Sequence, residues 1–337
     1  MNILCFESSC DETAVAIVRD GREIVSNVVF SQIDVHKIYG GVVPEIASRY
    51  HIEKISQLTE ECIRRSGLTE DDLDAVAVTA APGLIGALLV GLNFAKGYAY
   101  ARNLPLIPVH HIRAHVAANY LAYPELKPPF LAMVVSGGHS HIVLVKDYTD
   151  YQILGRTKDD AAGEAFDKGA RILGLGYPGG VYMDKVAKEG NPKAMKFPRV
   201  HFKDEPYDFS FSGVKTAIVN YVHNAKQKGE ELNIPDISAS YSDAITGVLA
   251  ENFLACAREY GQKTLVIAGG VSANSMLRQK LLDGKDGDQT LYMPPLSLCG
   301  DNGAMVGAQA YYEFQAGHTA NLDLNALSAF SIENQLC

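Results

Sequence analysis

In the run His111-Ile112-Arg113-Ala114-His115 two imidazoles stand four residues apart. On a helix that spacing puts both on one face, where they can reach a single metal ion. Two ordinary histidines can share the same spacing, so a metal site needs a third ligand. Asp301, in the glycine-flanked run Cys299-Gly300-Asp301-Asn302-Gly303, offers a carboxylate. Two histidines and one carboxylate leave coordination positions open to substrate, as in catalytic zinc and iron(II) centres. His139 and His141, two apart on one face of an expected strand, are competing ligands, although surface or core placement suits them better. A zinc peptidase of the H-E-x-x-H kind carries its general base directly after the first histidine. Ile112 stands there, which argues against that chemistry.

Two glycine turns suit phosphate, because glycine lets backbone amides approach an anion closely and a turn aims several at one group. Ser136-Gly137-Gly138 falls between two apolar runs, and Gly269-Gly270 between an apolar run and a helix start carrying Ser272 and Asn274. Tight turns need glycine in any case, so each alone says little. The two together, in successive α/β blocks, favour a bound nucleotide. Asp11 and Glu12 follow Ser8 and Ser9 in a polar turn, where they can hold a metal, orient water, accept a proton or simply satisfy the turn. Glu164, Asp167 and Lys168 share a helical face able to contact hydroxyl groups or to pair its own charges in solvent. Lys185, Lys188, Lys193, Lys196, Arg199 and Lys203 face one acid, Glu189, with Tyr182, Phe197 and Phe202 among or beside them. Such a stretch suits a phosphate backbone with bases to stack.

Two blocks of strands and helices are needed to position these groups. ILCFE, a polar turn and TAVAIV read as a hairpin, extended by a strand near 23–31; a helix over 45–66 ends at Gly67, and a strand over 75–79 leads to a helix over about 84–101. From Ala75 to Ala95 no residue is charged, but Pro82 and Gly83 divide the stretch, so no membrane span is expected. The second block starts near Pro108 with the short helix of His111 and His115. PPFLAMVVSGGHSHIVLV then gives two strands around the glycine turn, and TLVIAGG later feeds the helix SANSMLRQKLL. Both blocks begin strand, small polar turn, strand, which suggests an old duplication. Residues 223–237 and 283–289 read as exposed tips.

The expected fold class is α/β, with lobes at residues 1–108 (joined by a C-terminal helical segment, 303–337) and 109–302, the second carrying the metal site. A chain of 337 residues, 47% hydrophobic and 20% charged, suits two lobes better than one core. Its net charge of −9 argues against coating nucleic acid by bulk attraction but leaves room for a local basic face. Six scattered cysteines without a C-x-x-C pair fit reduced thiols, and the strand-like start lacks the basic flank of an export leader; a cytoplasmic protein is expected.

ESSCDETAVAI, YGGVVPEIASRYH, APGLIGALLVG, PVHHIRAH, VVSGGHSH, DDAAGEAFDKGARILGLGYPGG, DFSFSGVKT, AGGVSAN and CGDNGAM run in order from about residue 3 to residue 310. In these segments the chain resembles the TsaD family, bacterial relatives of the KEOPS catalytic subunit once labelled glycoprotein endopeptidases. The resemblance implies an actin-like ATPase fold of two RNase H-like lobes with a nucleotide cleft between them. It implies transfer of a threonylcarbamoyl group from threonylcarbamoyl-AMP to the exocyclic amine of the adenosine next to the anticodon in tRNA, with release of AMP. His111, His115 and Asp301 match the family's ligands for one divalent ion, iron or zinc. Val134, Val135, Ser136, Gly137, Gly138, Asp167, Gly180, Asp184, Gly269, Gly270 and Asn274 fall on its substrate and nucleotide segments, where ATP or ADP also fits. Asp11, with Glu12 beside it, lies in the SCDET motif of the same cleft; an aromatic amine is a poor nucleophile, and Asp11 is the candidate base.

The family implies a TsaB-like paralogue and a TsaE-like ATPase as partners, and no membrane. Val134 stands where archaeal and eukaryotic relatives place a tyrosine ligand, and the tail after about Asn321 lacks the family's usual ending. A kinase or an Hsp70-like binding module on the same fold is the alternative; neither explains the histidine pair.

Overall fold

The computed structural model describes residues 1–337. They form two compact units, one of Met1–Pro129, Val145–Gln152 and Pro294–Cys337 and one of Phe130–Leu144 and Ile153–Met293.

In the first unit β1 (Asn2–Glu7), β2 (Glu12–Arg19) and β3 (Glu23–Ser31) form an antiparallel meander. After them come α1 (Ile33–His36), α2 (Pro44–Ser66), β4 (Ala75–Ala81), α3 (Ile85–Arg102), β5 (Leu106–His110) and α4 (His111–Ala122). β4 lies parallel to β1 and β5 parallel to β4, giving the order β3-β2-β1-β4-β5. The second sheet contains β6 (Phe130–Val135), β7 (Ser140–Asp147) and β8 (Asp150–Arg156). It continues through α5 (Ala162–Ile172), α6 (Gly179–Ala187), α7 (Ser212–Lys228), α8 (Ile234–Glu259), β9 (Thr264–Ala268), α9 (Ser275–Gly284) and β10 (Thr290–Tyr292). Its order, β8-β7-β6-β9-β10, repeats the first sheet strand for strand, and β9 and β10 again add in parallel. That repeat supports the duplication read from the two hairpins. α10 (Gly303–Gln315) belongs to the first unit. No helix is long and apolar enough to cross a membrane.

The first sheet is covered on both faces, which is why its strands read as unbroken apolar runs. Leu4 and Phe6 pack with Leu88 and Leu92 of α3 and Ile55 of α2, whereas Ile3 and Cys5 pack with Ala114 and Ala118 of α4 and Met305 and Val306 of α10. Alternation along a strand fixes this division. It also moves the boundary between units: α4 is buried against the first sheet and α10, so His111, His115 and Asp301 belong to the first unit. The expected division at 1–108 and 109–302 had put them in the second.

Two histidines are held neutral here. His51 Nε2 lies 2.9 Å from the Cys10 carbonyl and its Nδ1 lies 2.7 Å from Thr13 Oγ1. The Val43 amide donates to His36 Nδ1 at 3.3 Å, and His36 Nε2 lies 3.2 Å from Gln32 Oε1. Burial pushes both imidazoles below their ordinary pKa, outweighing the opposite pull of Asp11. The unfolded chain therefore takes up protons near pH 6.5 that the folded chain does not. The contribution of these two histidines to stability should fall as pH drops below about 6.5, by roughly 1.4 kcal/mol per pH unit per histidine until each protonates. Denaturant titrations of wild type and of His51→Gln, which cannot titrate, should differ in slope across that range by about 1.4 kcal/mol per pH unit, the His51 share.

Candidate metal and nucleotide sites

β5 runs into α4 without a loop. The His110 side chain accepts from the Ile112 amide at 3.2 Å and so caps the helix at its first turn. His111 and His115 then lie one turn apart with ring centroids 4.7 Å apart. Asp301 sits just before α10. Asn302 caps that helix by accepting from the Met305 amide at 2.9 Å, and Gly303 lies so close to β2 that a Cβ would stand 2.7 Å from the Ala16 nitrogen. The cap and the close approach together fix the carboxylate. Asp301 Oδ1 is 3.1 Å from His115 Nε2 and 3.7 Å from His111 Nε2, and one ligand atom from each of the three residues falls within 4.8 Å of the others.

Two features show that these residues suit a cation. His115 is 1% exposed, yet neither of its ring nitrogens makes a hydrogen bond, and its Nε2 faces Asp301. A buried imidazole without a hydrogen-bond partner is costly, and coordination satisfies it. His111 is drawn toward positive charge: burial lowers its pKa, but Asp301 and Glu7 overcome that and raise it to about 9.

Glu7 was not legible as a site residue, and the structure makes it one. It is 1% exposed, and its Oε2 lies 3.1 Å from His111 Nδ1 and accepts from Thr79 Oγ1 at 2.6 Å. The Ser9 amide donates to its other oxygen at 2.5 Å, and Ser9 Oγ lies 3.1 Å from His111 Nδ1. Burial acts to raise its pKa; the stronger combined pull of His111 and Ser9 holds it low, so it is a carboxylate. With Nδ1–H donated to Glu7, the Nε2 lone pair of His111 is presented toward Asp301 and His115. The sequence held half of the signal: alternation puts Glu7 on the same face of β1 as Ile3 and Cys5, and only the structure shows that α4 covers that face.

Asp11 is buried in the turn between β1 and β2. Glu12 opens β2 and accepts from Ser31 Oγ at 3.0 Å. Burial, helped by Asp11 and Asp301, pushes the Glu12 carboxyl up to about 10, so it keeps its proton at neutral pH. It can donate a hydrogen bond but is no base, which leaves Asp11 as the candidate acceptor.

In the second unit Val134 pairs with Ala268, so the Ser136-Gly137-Gly138 and Gly269-Gly270 turns leave adjacent strands at their carboxyl ends, where ligands of parallel sheets bind. Gly269 is required by the chain itself: its φ is +87°, and a Cβ would lie 2.4 Å from the Val135 carbonyl. Gly137, Gly138 and Gly270 differ, since a Cβ on any of them would meet nothing within 4 Å. Neither backbone strain nor packing demands glycine there, which leaves room for an approaching group. Val134 and Val135 are wholly buried and can offer a ligand only their backbone. Asp167 accepts from the Gly180 amide at 3.3 Å, and Asp184 accepts from the Ser275 amide and hydroxyl at 2.9 and 2.8 Å. The oxygen of Asn274 caps α9 by accepting from the Leu277 amide, which leaves the donors of its amide nitrogen for a ligand.

Several expectations change. Lys168 pairs with Glu164 and Asp160, so the acidic helix face pairs its own charges, with Asp167 turned to Gly180. His139 and His141 stack on each other with centroids 5.7 Å apart and take no part in the His111–His115–Asp301 cluster. Arg199 is exposed, but it pairs with Asp243 and Glu251 of α8 at 2.6 and 2.5 Å and lies against Gly247, so its charge is already shared within the fold. Lys188 pairs with Asp184 at 3.3 Å, whereas Lys185, Lys193, Lys196 and Lys203 extend into solvent. Phe197 is buried against Tyr241 and offers no stacking surface.

A family model described as TsaD, tRNA N6-adenosine threonylcarbamoyltransferase, matches residues 23–308. The chain belongs to the TsaD family. A tRNA N6-adenosine threonylcarbamoyltransferase of Clostridium botulinum (strain 657 / Type Ba4) is 52% identical over 329 residues, covering 97% of this chain and 96% of the relative. Among solved structures, HypF of T. kodakarensis superposes with a TM-score of 0.64 at 15% identity, over 94% of this chain and 48% of that one. Component A of the Acidaminococcus fermentans (R)-2-hydroxyglutaryl-CoA dehydratase gives 0.54 at 17% identity, over 94% and 98%. At such identities the likeness concerns fold, and it is the actin-like ATPase fold that the TsaD motifs implied.

Proposed function

We propose that this chain transfers a threonylcarbamoyl group from threonylcarbamoyl-AMP to the exocyclic amine of an adenosine beside the anticodon in tRNA, releasing AMP. The observation that carries this reading is the 52% identity to a threonylcarbamoyltransferase along nearly the whole of both chains. The site chemistry agrees with it. A mixed carbamoyl–phosphate anhydride is already activated, so the work left is positioning and charge stabilisation. His111, His115 and Asp301 would hold one divalent ion, iron or zinc, with positions open to substrate. Such an ion supplies a Lewis acid at a carbonyl or phosphate oxygen.

The chain's own groups do the rest. Amides at Gly137, Gly138 and Gly270 bind phosphate, Glu7 fixes the His111 tautomer, and protonated Glu12 donates a hydrogen bond. Asp11 accepts the proton lost as the amine nitrogen bonds to the carbamoyl carbon and the carbon–oxygen bond to AMP breaks. Lys185, Lys193, Lys196 and Lys203 attract the tRNA backbone.

Reconstitution tests the reading: protein, its TsaB-like and TsaE-like partners, the synthase, threonine, bicarbonate, ATP and unmodified tRNA, followed by nucleoside analysis. Threonylcarbamoyladenosine is expected; AMP release without a modified base would contradict it. Gly138→Ala should leave stability nearly unchanged while weakening nucleotide binding about 10- to 100-fold, because the added methyl would hold the phosphate off the amide and forfeit about one charge-assisted hydrogen bond. Gly269→Ala should destabilise the fold instead; calorimetry of binding and of unfolding separates the two. Replacing Lys196 and Lys203 by alanine should weaken tRNA binding and flatten its salt dependence by about one unit of slope per lost phosphate contact, read from binding isotherms at several salt concentrations.

A further inference from the structure

The face of α4 opposite the histidines carries Arg113, one of the largest wholly buried side chains in the protein at 1% exposed. All of its donors are used. Nε and Nη2 donate to the Ile332 carbonyl at 2.9 and 2.7 Å, and Nη2 donates to the Asn334 carbonyl at 3.0 Å. Nη1 donates to Glu313 Oε1 at 3.1 Å and to Gln335 Oε1 at 2.9 Å, and the guanidinium lies 4.9 Å from the centre of the Tyr151 ring. Four of these six interactions thus end on the last six residues of the chain. The residue before the metal-ligand helix is gripped as well, with His110 Nε2 lying 3.2 Å from the Phe330 carbonyl. The segment is anchored: Ile332 is 2% exposed, and Gln335 donates to the Thr149 carbonyl at 2.8 Å.

We propose that the C-terminal segment from Phe330 to Gln335 is a latch that sets the metal site, and that Arg113 is its positioning residue. The inference rests on the metal reading of His111, His115 and Asp301. Arg113 lies between the two ligand histidines in sequence, so a shift or rotation of α4 that frees the guanidinium also carries His111 and His115 away from Asp301. The latch therefore fixes the ligand geometry from behind, as Glu7 fixes it from the β1 side. Without the tail Arg113 keeps Glu313 but loses the acceptors that fix its other donors, water takes their place, and α4 loses the contacts that hold it in one position.

The test titrates cobalt(II), a spectroscopic stand-in for the ion, into metal-free wild-type protein, a chain ending at Phe330, and full-length Arg113→Lys. Nucleotide affinity of each variant is measured in parallel. Wild type is expected to bind one cobalt with the visible absorption of a low-coordinate site. The shortened chain should bind roughly 10- to 100-fold more weakly with an altered spectrum, as for other groups that orient metal ligands. Arg113→Lys, which keeps the charge but loses the fork, should also weaken binding and change the spectrum, even if the shortened chain fails to fold. Nucleotide affinity should not change in any folded variant. Wild-type cobalt affinity and spectrum in Arg113→Lys or in a folded shortened chain would overturn the latch. Failure of wild type to bind cobalt would overturn the metal reading instead.

Discussion

Replacing His115 by alanine should abolish stoichiometric metal binding and lower the transfer rate by about a thousandfold, with little loss of stability relative to the metal-free wild type. The rate follows from the ion's role, since Lewis-acid stabilisation of developing charge is worth several kcal/mol, and each 1.4 kcal/mol is about tenfold. The small stability change follows from the environment of the side chain. A buried histidine normally leaves both a cavity and broken hydrogen bonds when truncated. Here both ring nitrogens lack hydrogen bonds, so the substitution removes an unsatisfied polar group and offsets part of the cavity cost. Metal content of the purified variant, its melting temperature and single-turnover transfer measure the three quantities. Wild-type metal content in His115→Ala would mean that the ion, if any, is held elsewhere.

Glu7 should give the second-largest effect, and of a different kind. Glu7→Ala breaks a wholly buried pair with His111 and strands the Thr79 hydroxyl and Ser9 amide, so a loss of about 3–5 kcal/mol in stability is expected. Glu7→Gln keeps the shape but can present its amide to His111 Nδ1, which favours the wrong tautomer and should weaken metal binding about 10- to 100-fold. The pH dependence moves as well. In the metal-free wild type a proton on His111 competes with the ion below about pH 9, so affinity rises with pH up to there. Without the Glu7 charge, burial lowers the His111 pKa against less opposition, and the plateau should begin at lower pH. Metal competition assays from about pH 6 to about pH 9 give both the affinity and the plateau; an unmoved plateau in Glu7→Gln would remove Glu7 from the site.

Much of this could be read from residue types and spacing because those features are local. The helical spacing of His111 and His115, the glycine-flanked Asp301 and the two glycine turns each lie within a few residues. What escaped depends on contacts across the chain. Glu7 and His111 are 104 residues apart and meet only because β1 and α4 share a face of the first sheet. Arg113 finds its partners more than 200 residues away in a tail that no motif marks. Arg199 and Phe197 looked like part of a basic aromatic surface, but α8 supplies Asp243 and Glu251 to one and Tyr241 to the other. Glu12 reads as a ready carboxylate until burial and two neighbouring acids are counted. The boundary between units escaped for the same reason: the packing of α4 on α10, not its place in the chain, decides its unit.

X-ray absorption of iron- or zinc-loaded protein tests the metal centre most directly. Scattering characteristic of two imidazoles is expected in the wild type, falling to one or to no bound metal in His115→Ala. A wild-type spectrum without imidazole scattering, or one unchanged by the substitution, would contradict coordination by His111, His115 and Asp301.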